Sequence, residues 1–255
     1  MIKSKTPREI EMMRHAGEIA AAARQIAGKM VAVGATTQSI DKKVHGFLIS
    51  QGAAPTFLNY NGFPASICIS VNEQVIHGIP SSRKLNHGDI VSIDIGATKD
   101  GYIGDCAATF IAGKGSPESE KLVEVTRESF FEGLKYARVG YRVSDISRAI
   151  QDHAEKNGYS VVREYVGHGV GTKLHEPPEI PNYIETPRKK ADPRLLPGMT
   201  LAIEPMINAG GAAVRVLDDK CTVVTVDGKN SAHYENTVLI TGGEPEILTV
   251  CEGVL

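Results

Sequence analysis

Two apolar, β-rich arms flank Lys99, Asp100 and Gly101 in the stretch IVSIDIGATKDGYIGDCAATF, residues 90–110, and this pattern predicts a β-hairpin. One carboxylate interrupts each arm: Asp94 between Ile93 and Ile95, and Asp105 just after Ile103 and Gly104. With the turn centred between Lys99 and Asp100, Asp94 lies opposite Asp105. With Asp100-Gly101 as a two-residue loop, Asp94 faces Ala107 and Asp105 is its diagonal neighbour. Both registers put the two carboxylates on one face, within reach of each other, whereas an odd loop separates them. Like charges so placed destabilise a sheet, and burial makes them more so. Either one aspartate faces water at a sheet edge, or a positive species lies between the two.

The same kind of pattern places the other elements. Thr6-Pro7-Arg8-Glu9 is a capping box with proline at the first helical position, and predicts a helix from Pro7 to about Met30. A second helix is expected from near Thr37 to before Gly52, and a third from Ser116-Pro117-Glu118 to about Ala137. A fourth is expected from about Ser144 to Asn157, with Gly158 as its left-handed cap. Strands are expected near 66–71, 90–98, 102–112, 160–165, 199–208, 213–217, 221–226 and 234–240. Pro177, Pro178, Pro181, Pro187, Pro193 and Pro197 make 176–197 an expected extended surface loop. Gly34 and Gly52 bracket one short helix, Gly140 and Gly158 another, and both pairs are 18 residues apart. Ile40 and Val44 fall in register with Ile146 and Ile150. The order helix, helix, strands thus occurs twice. The expected fold is α+β, one domain over 1–255 built of two related halves, roughly 1–115 and 116–255, with a ligand cleft between them.

Composition narrows the function classes. The chain has 255 residues, is 42% hydrophobic and 23% charged, and carries a net charge of −2, so no global basic field points to nucleic acid or an anionic membrane. The basic cluster Arg188, Lys189 and Lys190, with Arg194 nearby, reads as a solvated loop. Cys68, Cys106, Cys221 and Cys251 form no CxxC pair, which argues against a thiol-rich zinc site or a disulfide scaffold and suits a reducing compartment. EIAAAARQIAGKMVAV carries Glu18, Arg24 and Lys29, so it is neither a signal-peptide core nor a membrane span. A cytoplasmic protein is expected.

Four more polar positions sit as oddly as the hairpin aspartates. LAIEPMI puts Glu204 in an apolar strand, HYENTVLI puts Glu235 at the head of another, YVGHGVG holds His168 between glycines, and LHEPP holds His175. Taken singly, each glutamate reads as a solvent-facing strand residue and each histidine as a hydrogen-bonded loop or core residue. Together they suggest convergence. Four carboxylates gathered with one histidine require cations, and two divalent metals neutralise them, at the spacing of about 3.5–4 Å found in two-metal hydrolases. An oxygen-rich set with one imidazole and no thiolate argues for Mn, Fe, Co or Zn. Such a pair brings the pKa of a shared water to near neutrality. GHGVG matches neither a GxGxxG nor a Walker loop, and no GxSxG elbow is present.

At these residues the sequence resembles the type I, bacterial methionine aminopeptidases of the pita-bread metallopeptidases. NGFPASICISVNEQVIHGIP, IDIGATKDGYIGD, YVGHGVGTKLHEPP, LLPGMTLAIEPMINAG and SAHYENTVLIT carry the likeness, which runs over nearly the whole chain. The resemblance implies two pseudo-symmetric halves with antiparallel sheet inside and helices outside. It implies that Asp94 ligates one metal, that Asp105 and Glu235 bridge the pair, and that His168 and Glu204 complete the other. It implies that His77 contacts the scissile amide nitrogen, that His175 steadies the carbonyl, and that Glu204 shuttles a proton after attack by a bridging hydroxide. Phe57, Tyr60, Phe63, Cys68, Leu174 and Cys221 would line the methionine pocket, and an unbranched, polarisable side chain suits such a pocket. The chain departs from the family here: Trp is frequent at the position of Cys221, Phe at that of Leu174 and Thr at that of Ala202. The substrate implied is the N-terminal Met of nascent polypeptides with a small second residue. A transient ribosome contact, a monomeric chain, and no specific nucleic acid or membrane partner complete the expectation. Three alternatives stand beside it: an Xaa-Pro-type aminopeptidase of the same fold, a non-catalytic peptide-binding relative, and a two-metal phosphoesterase.

Overall fold

The structure is a computed structural model that describes residues 2–184 and 192–251. Arg188, Lys189 and Lys190 lie outside the described residues, as does Pro187. The helices are α1 (Pro7–Lys29), α2 (Thr37–Ser50), α3 (Pro117–Leu134) and α4 (Val143–Lys156). The strands are β1 (Ala54–Pro55), β2 (Cys68–Val71), β3 (Gln74–Ile76), β4 (Ile90–Lys99), β5 (Tyr102–Ile111), β6 (Ser160–Val161), β7 (Gly167–Gly169), β8 (Glu176–Ile180), β9 (Thr200–Ile203), β10 (Met206–Asn208), β11 (Val214–Val216), β12 (Val223–Thr225), β13 (Ser231–His233), β14 (Glu235–Leu239) and β15 (Glu246–Ile247).

The helices begin where their caps dictate. Thr6 Oγ1 accepts from Glu9 N at 3.4 Å while Glu9 Oε2 accepts from Thr6 N at 2.7 Å, so two orphan donors at the start of α1 are satisfied. Thr36 and Ser116 cap α2 and α3 through Ser39 N and Ser119 N at 3.2 Å each. Asp145 reaches back to Arg142 N at 2.8 Å and starts α4. The end of α3 comes at Leu134 rather than near Ala137, because the backbone tightens there: Tyr136 N donates to Gly133 O and Ala137 N to Leu134 O.

The two halves repeat in space as in sequence. Gly34, Gly52, Gly140 and Gly158 all adopt positive φ, between 63° and 98°, at the entries and exits of α2 and α4. Just before α2, Thr36 bridges Lys84; just before α4, Arg142 bridges Arg194. Ile40 and Val44 are fully buried in one core, with Ile19, Ala23, Leu48, Ile93 and Ile95. Ile146 and Ile150 are fully buried in a second, with Phe130, Leu201, Ile203 and Val238. Each core lies between a helix pair and its own part of the sheet.

One antiparallel sheet joins the halves. Its strand order is β1-β4-β5-β14-β9-β7-β8, with β2 on β4 and β15 on β14. Small three-stranded sheets, β13-β10-β6 and β11-β12-β3, flank it. Helix α1 crosses β5 very closely. A Cβ at Gly104 would lie 2.5 Å from the Cα of Gly17, so this crossing needs glycine on β5, and a Cβ at Gly17 would strike the carbonyl oxygen of Leu248, just past β15, so α1 needs glycine there too.

Two expectations are corrected. The segment 176–197 is not all loop: Glu176–Ile180 forms β8, paired with β7. Its prolines are tolerated because β8 is an edge strand. The strand expected over 199–208 is two strands, because Pro205 lacks the N–H to continue the ladder and β10 passes into a different sheet. Strands 66–71, 160–165, 213–217 and 221–226 are shorter than expected, and β1, β3, β7, β13 and β15 were not foreseen. Among the described residues no helix is long and apolar enough to cross a membrane.

Candidate metal centre

Five neighbouring positions in the main sheet each present one side chain to a common point. Asp94 lies on β4, Asp105 on β5, Glu235 on β14, Glu204 directly after β9 and His168 on β7, and β4-β5-β14-β9-β7 are consecutive in the sheet. The hairpin turns at Asp100 and Gly101, whose φ values of 49° and 82° suit a two-residue loop. That register pairs Asp94 with Ala107 and Asp105 with Gly96, so the two aspartates are diagonal neighbours on one face. Ala107 also pairs with Glu235. In the other half Ala202 pairs with both His168 and Thr237. A small, fully buried residue thus sits at the middle of each half of the row and leaves room for the longer groups around it.

The backbone beneath is clamped. Only two residue pairs join β5 to β14, and Arg24 of α1 reinforces that seam. Its Nη1 donates to Glu235 O at 2.9 Å, to Asn236 Oδ1 at 3.0 Å and to Ala107 O at 3.3 Å. Thr237 Oγ1 accepts from Asp105 N at 3.0 Å and donates to Asp105 O at 2.9 Å. Asn182 Nδ2 donates to Glu204 O at 3.0 Å. These bonds fix where the carboxylates start, and sequence patterning gives no sign of them.

Electrostatics then sets a demand. Asp105 and Glu235 are 3% and 2% exposed. Burial pushes the Asp94 carboxyl up to about 7. Burial, and after it the charge of the neighbouring carboxylates, raises Asp105, Glu204 and Glu235 well above the ordinary range. Asp94 Oδ1, Asp105 Oδ1 and Glu235 Oε1 are buried and find no hydrogen-bond donor. His168 sharpens the conflict. Its Nδ1 lies 2.9 Å from Gly169 O, which can only accept, so the ring hydrogen sits on Nδ1. The bare Nε2 then faces Glu204 Oε1 at 3.4 Å and Asp105 Oδ2 at 3.8 Å. Burial holds that imidazole neutral, with a pKa lowered to about 4. In their ionised forms these groups offer only lone pairs to one another, and a cation satisfies all of them at once where otherwise protons must be taken up.

The donor set fits a divalent metal. Ligand atoms of Asp105, His168 and Glu235 lie within 4.8 Å of one another. The donors are carboxylate oxygens with one imidazole, a set that suits Mn, Fe, Co or Zn. Cys68 pairs with Asp94 across β2 and β4, but burial and the nearby carboxylates push its thiol pKa far up, so it offers no thiolate.

A cavity of about 280 Å³ opens from this centre. Asp94, Asp105, His168, Glu204 and Glu235 line it, as do His77, His175, Phe57, Tyr60, Phe63, Cys68, Leu174 and Cys221, so every residue expected at the site is brought there. Phe57, Phe63, Cys68 and Leu174 are buried together, with Cys221 packed against them. His77 has a φ of 57° and stands edge-on to Tyr165, ring centroids 5.8 Å apart. Burial first, and His175 second, lower its pKa to about 4. His175 is an exposed residue at the cavity mouth; its Nδ1 is 2.7 Å from Tyr60 Oη and its ring lies 4.3 Å from that of His168. Burial lowers its pKa as well. Asn61, Ile76, Val166, Val216 and Lys220 also line the cavity unforeseen, and two further unforeseen residues stand out. Tyr165, three positions before His168, lines the cavity. His233, two positions before Glu235, is 1% exposed and brings Nε2 to 3.8 Å from Glu204 Oε2. His233 ends the short, mostly polar strand Ser231-Ala232-His233, which carried no signal of a site.

A carboxylate-rich metal centre strung across the shared sheet of two related halves defines a metallohydrolase. Residues 11–242 match metallopeptidase family M24, and the chain belongs to that family. It is 53% identical over 249 residues to methionine aminopeptidase 1 of Bacillus subtilis, covering 98% of this chain and 99% of that one. The crystal structure of methionine aminopeptidase from Thermotoga maritima superposes with a TM-score of 0.94 at 44% identity, over 98% and 99% of the two chains. Prolidase from Pyrococcus furiosus superposes with a TM-score of 0.77 at 25% identity, over 98% of this chain and 66% of that one. The fold is the pita-bread arrangement, antiparallel sheet inside and helices outside.

Proposed function

We propose that this protein is an aminopeptidase that removes N-terminal methionine from new polypeptides whose second residue is small, using two divalent ions. The observation that carries this reading is the row of unpaired carboxylate oxygens and one bare imidazole nitrogen opening onto a cavity of about 280 Å³ with an apolar wall of Phe57, Phe63, Cys68 and Leu174. Asp94 would hold one ion, Asp105 and Glu235 both, and His168 and Glu204 the other. Bound there, divalent cations make water a competent nucleophile at neutral pH and polarise the scissile carbonyl.

The chain's own groups do the rest. The cavity walls of Phe57, Phe63, Cys68, Leu174 and Cys221 exclude water from the methionine side chain, and their soft surface suits a thioether. A neutral His77 can hydrogen-bond the scissile amide nitrogen, since burial keeps it uncharged through the physiological range. Tyr60 Oη, 2.7 Å from His175 Nδ1, orients that ring, leaving Nε2 to meet the carbonyl oxygen as charge develops on it. Glu204 takes up the proton released from water and returns it to the leaving amine. The four free cysteines suit a cytoplasmic setting.

The test is hydrolysis of Met-Ala-Ser against an Xaa-Pro peptide, by protein of measured metal content. Preferential release of methionine is the expected result. Preferential cleavage of the Xaa-Pro peptide would place the chain with the prolidases instead. Metal-loaded protein that hydrolyses neither would make it a binding module.

A further inference from the structure

His233 is a buried imidazole that the proposed reaction leaves unused. It is 1% exposed, and its Nε2 is a buried nitrogen without a hydrogen-bond partner. Such a nitrogen is costly unless it serves something nearby. Glu204 Oε2, 3.8 Å away, is the acceptor it faces. The two oxygens of Glu204 therefore look in different directions. Oε1 faces His168 Nε2, on the side of the other ligands, and Oε2 faces His233.

The backbone fixes both residues relative to each other. Met206, two residues past Glu204, pairs directly with His233 across β10 and β13. Tyr234 N donates to Pro205 O at 3.2 Å, next to both residues. Thr109 Oγ1 brackets His233, accepting from its N and donating to its O at 2.9 Å each. Neither main chain can drift, so the imidazole stays behind the carboxylate. A side-chain adjustment of under about 1 Å brings the pair within hydrogen-bond range.

We infer that His233 is a positioning residue for Glu204: its Nε2–H holds Oε2, so that the carboxylate plane is set and Oε1 stays turned toward the ligands and the attacking water. This deepens the aminopeptidase reading and rests on it. A proton carrier whose carboxylate can rotate loses the alignment its transfers need, so the effect belongs in turnover rather than in substrate binding.

Four proteins test this: wild type, His233→Gln, His233→Leu and His233→Asn. Each is assayed for kcat and KM on Met-Ala-Ser, for bound metal per chain, and for its urea midpoint. Glutamine carries an amide N–H at about the reach of Nε2. Asparagine is polar but one methylene short, and leucine offers no donor. Expected are a kcat reduced about tenfold or more in the Leu and Asn variants, with KM and metal content near wild type, and recovery to within about threefold in the Gln variant. A purely structural role moves the urea midpoint with no ordering by donor reach. The proposal is overturned if the Asn or Leu variant turns over as fast as wild type, if Gln is as slow as Asn, or if the loss of rate follows loss of metal. Should His233→Leu not fold, the comparison of Gln with Asn decides alone. A wild-type protein inactive on Met-Ala-Ser but active on the Xaa-Pro peptide would fail the substrate reading instead, and the same ordering on that peptide would still test His233.

Discussion

Replacing Asp94 by asparagine should make the metal-free protein more stable while costing the metal-loaded protein its function. Folding without a cation forces the Asp94 carboxyl into a buried, acid-rich site where its pKa rises from 3.8 to about 7. The unfolded chain releases that proton near 3.8, the folded one near 7, so the folded state binds more protons between them. Stability therefore falls as pH rises through this window and stays low above it. The gap corresponds to roughly 4 kcal/mol above pH 7 and to under half of that at pH 5. Asparagine has the same shape, carries no charge, and can keep the bond that Ile95 N–H makes to the side chain. Relaxation of Asp105 and Glu204 will absorb part of the gain, which leaves about 2–4 kcal/mol at pH 8. His77, His168 and His233, held neutral with pKa values lowered from 6.5 to about 4, 4 and 3, weaken the fold as pH drops below 6.5, but equally in both proteins. The assay is urea unfolding of both proteins with chelator, at pH 8 and pH 5. Saturating metal should reverse the order, because only the wild type gains the binding free energy in full. Equal midpoints at pH 8, or a gain as large at pH 5, would refute the reasoning.

Three further outcomes are expected. Asp105→Asn should lower metal occupancy and turnover together, since a proposed bridge loses its charge; metal analysis beside the peptide assay checks it, and unchanged activity counts against the role. His175→Ala should retain metal and lose roughly 100-fold in kcat, because its partner forms only as the carbonyl becomes tetrahedral. Gly17→Ala should destabilise the fold by about 2 kcal/mol or more in urea, because its methyl group meets the Leu248 carbonyl with no room to move.

Much of the architecture follows from local chemistry. The capping box at Thr6 and Glu9 starts α1 whatever surrounds it, and the glycines at 34, 52, 140 and 158 stop and start helices because only glycine takes those φ values freely. The Asp100-Gly101 turn sets the hairpin register, and with it the diagonal placement of Asp94 and Asp105. Short-range signals of this kind survive in one dimension. Pro205 was legible as well, but its effect depended on a neighbouring sheet for β10 to enter. Glu176–Ile180 reads as loop by composition, and becomes a strand only because β7 offers it an edge.

Residue types at the centre came from sequence, since a carboxylate in an apolar strand is anomalous wherever it is found. Their convergence was expected from their number and from the family resemblance, but the contacts that bring it about were not legible. Glu235 meets Ala107 across 128 residues of chain, and Glu204 meets His233 only because Met206 pairs with it. Arg24 reaches the seam from a helix that carries no other sign of function. The sequence by itself determined the elements, the turn registers and the kinds of ligand, because each depends on neighbours a few residues apart. Tertiary structure alone decided the order of strands, the bare face of His168 and the imidazole behind Glu204, because those are distances between groups that the chain brings together only by folding.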